Sequence, residues 1–310
     1  MKNKRILLVF FIIFSLISIN ISIGEEIIFE TPEIKSFDNG KLLKADKGGK
    51  ALFDKSTEII ADKFEYNKTT NILIATGNAQ GTDNLNKVKI FANVLIYNKT
   101  KLVFTAIGNA KAIDNLNKTT IEADELEYDK KDSKYTATKN VKLDDDLNNV
   151  ITEAEKITYI SNQEKIFTKG KTRIFIENKY TINSNDVLWL RNKYEFSSEK
   201  YTTFEDTKNN FYTAEKFRYF TDKKLFRGNK VVLKSNDGNE YLFEDVFVNV
   251  ETNELQGKDL DVNFYNTMFG NKKNEPRLKG NKAFSNKEIT IVSKGVFTTC
   301  QRRPGGKCPP

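Results

Sequence analysis

The sequence predicts an all-β protein: an elongated sheet, folded over on itself, built from about seven to eight two-strand repeats of 30–31 residues. Three observations carry this. A stretch from Ile59 to Gly81, IIADKFEYNKTTNILIATGNAQG, recurs along the chain. With Ala61 as the reference residue, its equivalents are Ala92, Ala123, Ala154, Ser184, Ala214 and Glu244, at steps of 31, 31, 31, 30, 30 and 30. A constant period of that length marks a repeat array. Ile, Thr, Tyr, Phe and Val are abundant and Pro is scarce, which favours strands over helices. Within each copy, apolar and polar residues alternate and a polar turn follows.

The amino terminus stands apart. Lys2, Lys4 and Arg5 precede an apolar run from Ile6 to Ile23, and small residues at Ser22 and Gly24 precede Glu25-Glu26. A basic start, an apolar middle and a small-residue cut describe a secretory signal peptide over residues 1–24. An uncleaved membrane anchor is the other reading of so long a run. Loss of those three positive charges takes the net charge from +8 to +5. The remaining charges are dispersed and mixed in sign, so nothing in them calls for nucleic acid. Residues 25–58, with Asn39-Gly40 as a hairpin signal, read as a degenerate first repeat at an edge. The repeats proper occupy 59–284, and a looser segment fills 285–310.

Aligned copies expose three columns. One residue after the reference stand Asp62, Asn93, Asp124, Glu155, Asn185, Glu215 and Asp245, always an acid or amide. Three after it stand Phe64, Leu95, Leu126, Ile157, Val187, Phe217 and Phe247. Five after it stand Tyr66, Tyr97, Tyr128, Tyr159, Trp189, Tyr219 and Asn249. Shared parity puts all three on one face of an extended chain, and the face of Phe64 and Tyr66 is expected to point inward. Two before the reference, Ile59, Ile90, Ile121, Thr152, Ile182, Tyr212 and Leu242 have the opposite parity. A bulge or sharp bend at the small residue and its acid reconciles the two sets. The return strands carry Gly77, Gly108, Gly170, Gly228 and Gly257 near their middles, as expected of a bulge or close backbone approach. Each repeat is then a hairpin of two strands of roughly eight residues.

The chemistry is sparse. Without histidine, Ser–His and Cys–His nucleophile pairs and His-ligated zinc are excluded. The acids come one per repeat, spread along the array, so they are expected to satisfy backbone at bends and not to form a catalytic or calcium site. No enzyme activity, metal or cofactor is expected. Cys300 and Cys308 are disulfide candidates in an exported chain, either as a local loop or with partners outside it. The apolar column reads either as plain core or as the wall of an apolar trough left between incompletely closed sheets.

The Ala-Asp, Tyr and Gly-Asn landmarks of Ile59–Gly81 closely resemble the OstA-type repeat of lipopolysaccharide-transport proteins, and the resemblance covers roughly residues 27–310. The end, ITIVSKGVFTTC, is similar to the junction where a periplasmic domain of that family meets its outer-membrane barrel. The resemblance implies an elongated β-jellyroll, open along one side, in the periplasm or outer membrane of a Gram-negative bacterium. It implies receipt of lipopolysaccharide from a bridge of similar jellyrolls, joined by edge-strand pairing. Acyl chains would ride inside toward an outer-membrane barrel and its lipoprotein partner. The lipid-facing candidates are then Phe64, Tyr66, Leu95, Tyr97, Leu126, Tyr128, Ile157, Val187, Phe217 and Phe247. In that family, cysteines of the periplasmic domain pair with cysteines of the barrel. Cys300 matches by its Thr-Thr-Cys context and Cys308 less closely, and the family's usual cysteine near the mature amino terminus is missing. No run of barrel strands follows, so the sequence reads as a fragment ending in a junction, with a separately encoded domain as the other reading. The competing readings are a periplasmic bridge component of the same family and a purely structural secreted solenoid.

Overall fold

Alternating apolar residues on either side of a bend make each repeat a pair of bent strands. The computed structural model describes residues 27–270 and 273–301; the signal segment 1–24 and Cys308 lie outside them. Six short strands come first: β1 (Ile28–Glu30), β2 (Lys35–Phe37), β3 (Leu42–Ala45), β4 (Gly49–Leu52), β5 (Thr57–Ala61) and β6 (Lys63–Asn67). Seven long ones follow: β7 (Ile72–Asp83), β8 (Val88–Asn98), β9 (Val103–Asp114), β10 (Thr119–Asp129), β11 (Lys134–Asp145), β12 (Val150–Ile160) and β13 (Lys165–Ile176). Six more short strands are β14 (Tyr180–Asn185), β15 (Leu188–Leu190), β16 (Glu195–Ser198), β17 (Thr202–Glu205), β18 (Phe211–Ala214) and β19 (Lys216–Phe220). The array closes with β20 (Leu225–Lys234), β21 (Glu240–Asn249), β22 (Glu254–Asn263), β23 (Arg277–Ser285), β24 (Thr290–Ser293) and β25 (Val296–Thr298).

All pairings are antiparallel and join the strands into one sheet. The long strands run 10 to 12 residues apart from the nine-residue β23, not the roughly eight expected, because each continues through the bend. The first half of β7 pairs with β6 and its second half with β5. β13 likewise pairs with β14 on one side of the bend and β15 on the other. Every long strand therefore contributes to two half-sheets, one ending at β2 and β24, the other at β1 and β25. Folding at the bends brings the half-sheets face to face around a shared apolar interior, the all-β solution for burying one side of a sheet.

The parity shift occurs at the bend. In β8, Ile90, Ala92, Leu95 and Tyr97 are buried, so inward positions step from two apart to three across Asn93-Val94. Register shifts mark the same place in β8, β10 and β12. One consequence corrects the parity argument: Asp62, Asn93 and Asp124 do not share the inward face of Phe64 and Tyr66 but are exposed. They lock the bend from outside. Asn78 Nδ2 donates to Asp62 Oδ2 at 2.9 Å, and Asn140 Nδ2 to Asp124 Oδ2 at 2.9 Å. Opposite the acid, Gly77-Asn78 and Gly108-Asn109 take consecutive left-handed conformations, with φ of 80° and 44° and of 76° and 49°. Glycine is required there twice over, since a Cβ on Gly77 would also sit 2.4 Å from Asp62 Oδ2. Gly228 and Gly257 belong to a different column. Their φ values are ordinary, and an added Cβ would strike the core side chains Val231 and Phe243.

The seventh copy also departs from the alignment. Phe243, Val246 and Val248 are buried while Glu244 and Phe247 are exposed, so its reference residue is Phe243, one earlier than the spacing indicates. Apolar residues of both parities stand between Tyr241 and Val248, and pattern alone does not choose between them.

Candidate functional site

The interior differs along its length. From β6 to β20 it is filled. Phe64, Tyr66, Leu95, Tyr97, Leu126, Tyr128, Ile157, Val187, Trp189, Phe217 and Tyr219 are all buried. Their rings pack across strands: Tyr97 tilted on Phe104 at 4.5 Å, Tyr128 stacked on Tyr135 at 4.7 Å, Tyr135 on Tyr159 at 5.6 Å. Such contacts add to the area effect. Burial raises the phenol pKa values throughout this column, that of Tyr97 to about 12, so the hydroxyls stay neutral.

The tenth candidate, Phe247, is elsewhere. It lies on the outer face, 40 % exposed, with the Arg227 guanidinium 4.9 Å from its ring centroid. That is an outer-surface cation–π contact, and Phe247 is no part of an inner wall.

Two rims of hairpin turns border the side away from the bends, one from each half-sheet, and polar groups close the gap between them. Lys130, on one rim, reaches across to Thr57 Oγ1, to Ser56 Oγ at 3.4 Å and to Asp83 at 3.7 Å. Tyr128 donates its hydroxyl to Asp83 Oδ2 at 3.0 Å. Further along, Arg191 Nε donates to Asp145 Oδ2 at 2.6 Å, Nη1 to the Tyr159 hydroxyl at 2.7 Å and Nη2 to the Asn117 carbonyl at 3.1 Å. Burial opposes the charge on Arg191, but the Asp145 hydrogen bond and the neighbouring Tyr159 hold its pKa above the ordinary value. Lys224 pairs with Glu177, and its hydrogen bond keeps that carboxyl below its usual range. These contacts form a seam. Fixed charges buried in pairs hold only while both partners are present.

Beyond the seam the interior opens. Between the half-sheets at the carboxy-terminal end lies a cavity of about 600 Å³. Its walls are apolar, including Tyr212, Phe243, Leu255, Leu260, Val262 and Leu278, and its mouth is polar, with Lys208, Asn210, Asn236 and Asn253. That is the size and lining expected of a ligand pocket. The cause is visible in the sequence: the ring supplied by Tyr219 one repeat earlier gives way to Val248, and smaller side chains leave the space between the sheets unfilled. A depression of about 700 Å³ at the bends of β11 to β14, walled by Lys142, Glu153, Lys171 and Arg173 together with Val141 and Thr172, is open and charged.

None of the ten sequence-derived candidates lines the cavity. The alignment missed its residues because they lie where the repeat slips and then loosens past Phe264. That loosening was the available signal. Among the described residues no group of acids and cysteines is arranged to hold a metal ion. Cys300 is exposed beside β25, its carbonyl accepting from Arg277 Nη1 at 2.7 Å.

Fold and site together define an all-β repeat protein with a laterally seamed interior and an apolar cavity at one end. No family model matches the sequence, and no curated protein does. Among solved structures the chain is similar to LptH, the LptA homologous periplasmic component of the lipopolysaccharide transport device of Pseudomonas aeruginosa. The identity is 16%, the TM-score 0.34, and the match covers 37% of this chain and 83% of that one.

Proposed function

We propose that this chain is a periplasmic lipid-transport module that shelters the acyl chains of lipopolysaccharide between its half-sheets. The observation that carries the reading is the terminal cavity, apolar inside and polar at the mouth, which matches an amphiphile whose head remains in water. Each methylene kept from water is worth about 0.8 kcal/mol. The OstA-like repeat supports the same reading. In its finer form, the chain corresponds to the periplasmic domain of LptD. It receives lipopolysaccharide from an LptA-like jellyroll by strand pairing at an edge and passes it to an outer-membrane barrel with its lipoprotein partner. A bridge component like LptA or LptC is the neighbouring assignment. The module performs no turnover chemistry.

The filled interior under the seam favours a second reading, a structural β-solenoid with no passage. Photo-crosslinking in cells separates the two. A crosslinker at Val262 or Leu278 is expected to capture lipopolysaccharide, while the same group at the outward Ile74 is not. Absence of adducts at both cavity positions would overturn the transport reading and leave the solenoid.

A further inference from the structure

One rim carries a row of leucines that neither the core nor the cavity uses. Leu85, Leu116 and Leu147 are 74, 63 and 62% exposed, the most exposed large apolar residues among those described. They occupy the same place in three successive turns, β7–β8, β9–β10 and β11–β12, at a spacing of 31 residues. Isolated exposed leucines are ordinary, but three in register on adjacent turns form a built row.

The turns hold them rigidly. Buried Asp83 accepts hydrogen bonds from the Leu85 and Asn86 amides and from Asn86 Nδ2; Asp114 and Asp145 serve Asn117 and Asn148 in the same way. Each turn ends on a left-handed residue, Lys87, Lys118 or Asn149, with φ of 57°, 52° and 50°. The leucines are thus presented at little further cost in conformational freedom.

The spacing identifies the partner. Successive tips are two strands apart, about 9.5 Å, too far to form one continuous apolar patch. A folded protein would need three separate pockets at that pitch, whereas a fluid apolar phase closes around each side chain by itself. The flanking charge agrees. Exposed Lys55, Lys87 and Lys118 stand on this rim beside the first two tips and make no ion pair among the described residues; Asp146, beside the third, is the one acid exposed at the tips. Lysines near a bilayer surface are drawn to anionic headgroups. We propose that the rim bearing Leu85, Leu116 and Leu147 docks on an anionic lipid bilayer, with the leucines inserted at its interface.

The apolar segment 6–23 can bring the chain to a membrane by itself, so the test reads position and not bulk binding. Full-length chains with Leu85→Trp, Leu116→Trp or, on the opposite rim, Leu102→Trp are mixed with brominated phosphatidylethanolamine–phosphatidylglycerol vesicles. Buried Trp189 supplies a constant background. Quenching is expected at positions 85 and 116 and not at 102. In the Leu116→Trp chain, L85N/L147N is expected to raise the lipid concentration for half-quenching about tenfold or more. Brominated phosphatidylcholine should quench more weakly. Equal quenching on both rims, or none at 85 and 116, overturns the proposal, as does leucine-dependent self-association without quenching. Equal quenching by the two lipids would overturn the part given to the lysines.

Discussion

At the scale of single residues, two kinds of position carry unusual burdens. The first is the left-handed glycine facing its acid or amide. Gly108 has φ 76°, and a Cβ there would come within 2.8 Å of Asn93 Nδ2. Gly108→Ala is therefore expected to cost about 1–3 kcal/mol in urea denaturation. Asn93→Ala should cost under about 1 kcal/mol, because that side chain is exposed. The second is the buried ion pair. Arg191→Met leaves Asp145 in the interior without its cation and is expected to destabilise by about 3–5 kcal/mol. The double replacement R191M/D145N should recover most of that loss, since no charge is then stranded and an amide oxygen still accepts from the Asn148 backbone. A double-mutant cycle measured by chemical denaturation checks both. No recovery would mean that the hydrogen bonds to Tyr159 and Asn117 are the larger part of the contact.

At the scale of elements, the strands divide into a filled stretch and an unfilled one, and an oversized probe should tell them apart. Val262 in β22 lines the cavity, whereas Val150 in β12 lies in the packed region. Val150→Phe is expected to cost about 1–3 kcal/mol by overpacking, and Val262→Phe much less, because its ring has room. The same Val262→Phe change should reduce lipid adducts at Leu278. The seam, an assembly of turns from both rims, has a pH signature. The folded-state pKa of Glu177 lies below its ordinary 4.5, with the Lys224 hydrogen bond the main cause. Asp54 is also lowered. Burial opposes this, but the hydroxyl and amide of Ser56 and the Lys130 charge outweigh it. A depressed carboxyl stabilises the fold above its unfolded pKa, and that stability is lost as pH falls through the folded value. Thermal stability should therefore decline as pH drops below about 4.5, and Glu177→Gln should flatten part of the decline in a melting series. A parallel loss in the Gln variant would remove Glu177 from the account.

At the scale of the whole molecule, the seam decides which part of the interior is reachable. Lys130, Arg191 and Lys224 tie the rims together ahead of the cavity. On the proposed transport role, a lipid passing through the amino-terminal half would have to part them. In the intact chain, crosslinks to lipid are expected at the cavity and absent at Leu95 and Leu126. In a chain lacking two of the three seam cations, K130M combined with R191M/D145N, adducts are expected to spread to Leu95. Adducts at Leu95 in the unaltered chain would show that the seam does not govern access. The two ends of the array are finished by strands of three or four residues, β1, β2, β24 and β25. Strands that short offer little backbone for unwanted pairing.

The sequence by itself determined the repeat, its strands, the bend between them and the inward columns around Phe64 and Tyr66. Those features are local: a period of two on each side of the bend, and an acid facing Gly-Asn sixteen residues on, are written within one copy. The outward turn of Asp62 was less legible, since parity counts residues and a bulge silently adds one. The placement of Phe247 failed for a related reason, because apolar residues of both parities leave the register to be settled by neighbouring strands. Only the tertiary structure decided the seam, whose partners stand as far apart in sequence as Asn117 and Arg191, and only it showed where the interior is full. A cavity belongs to no residue. It is the volume left when two sheets are held at a fixed distance by their bends and the side chains between them fall short.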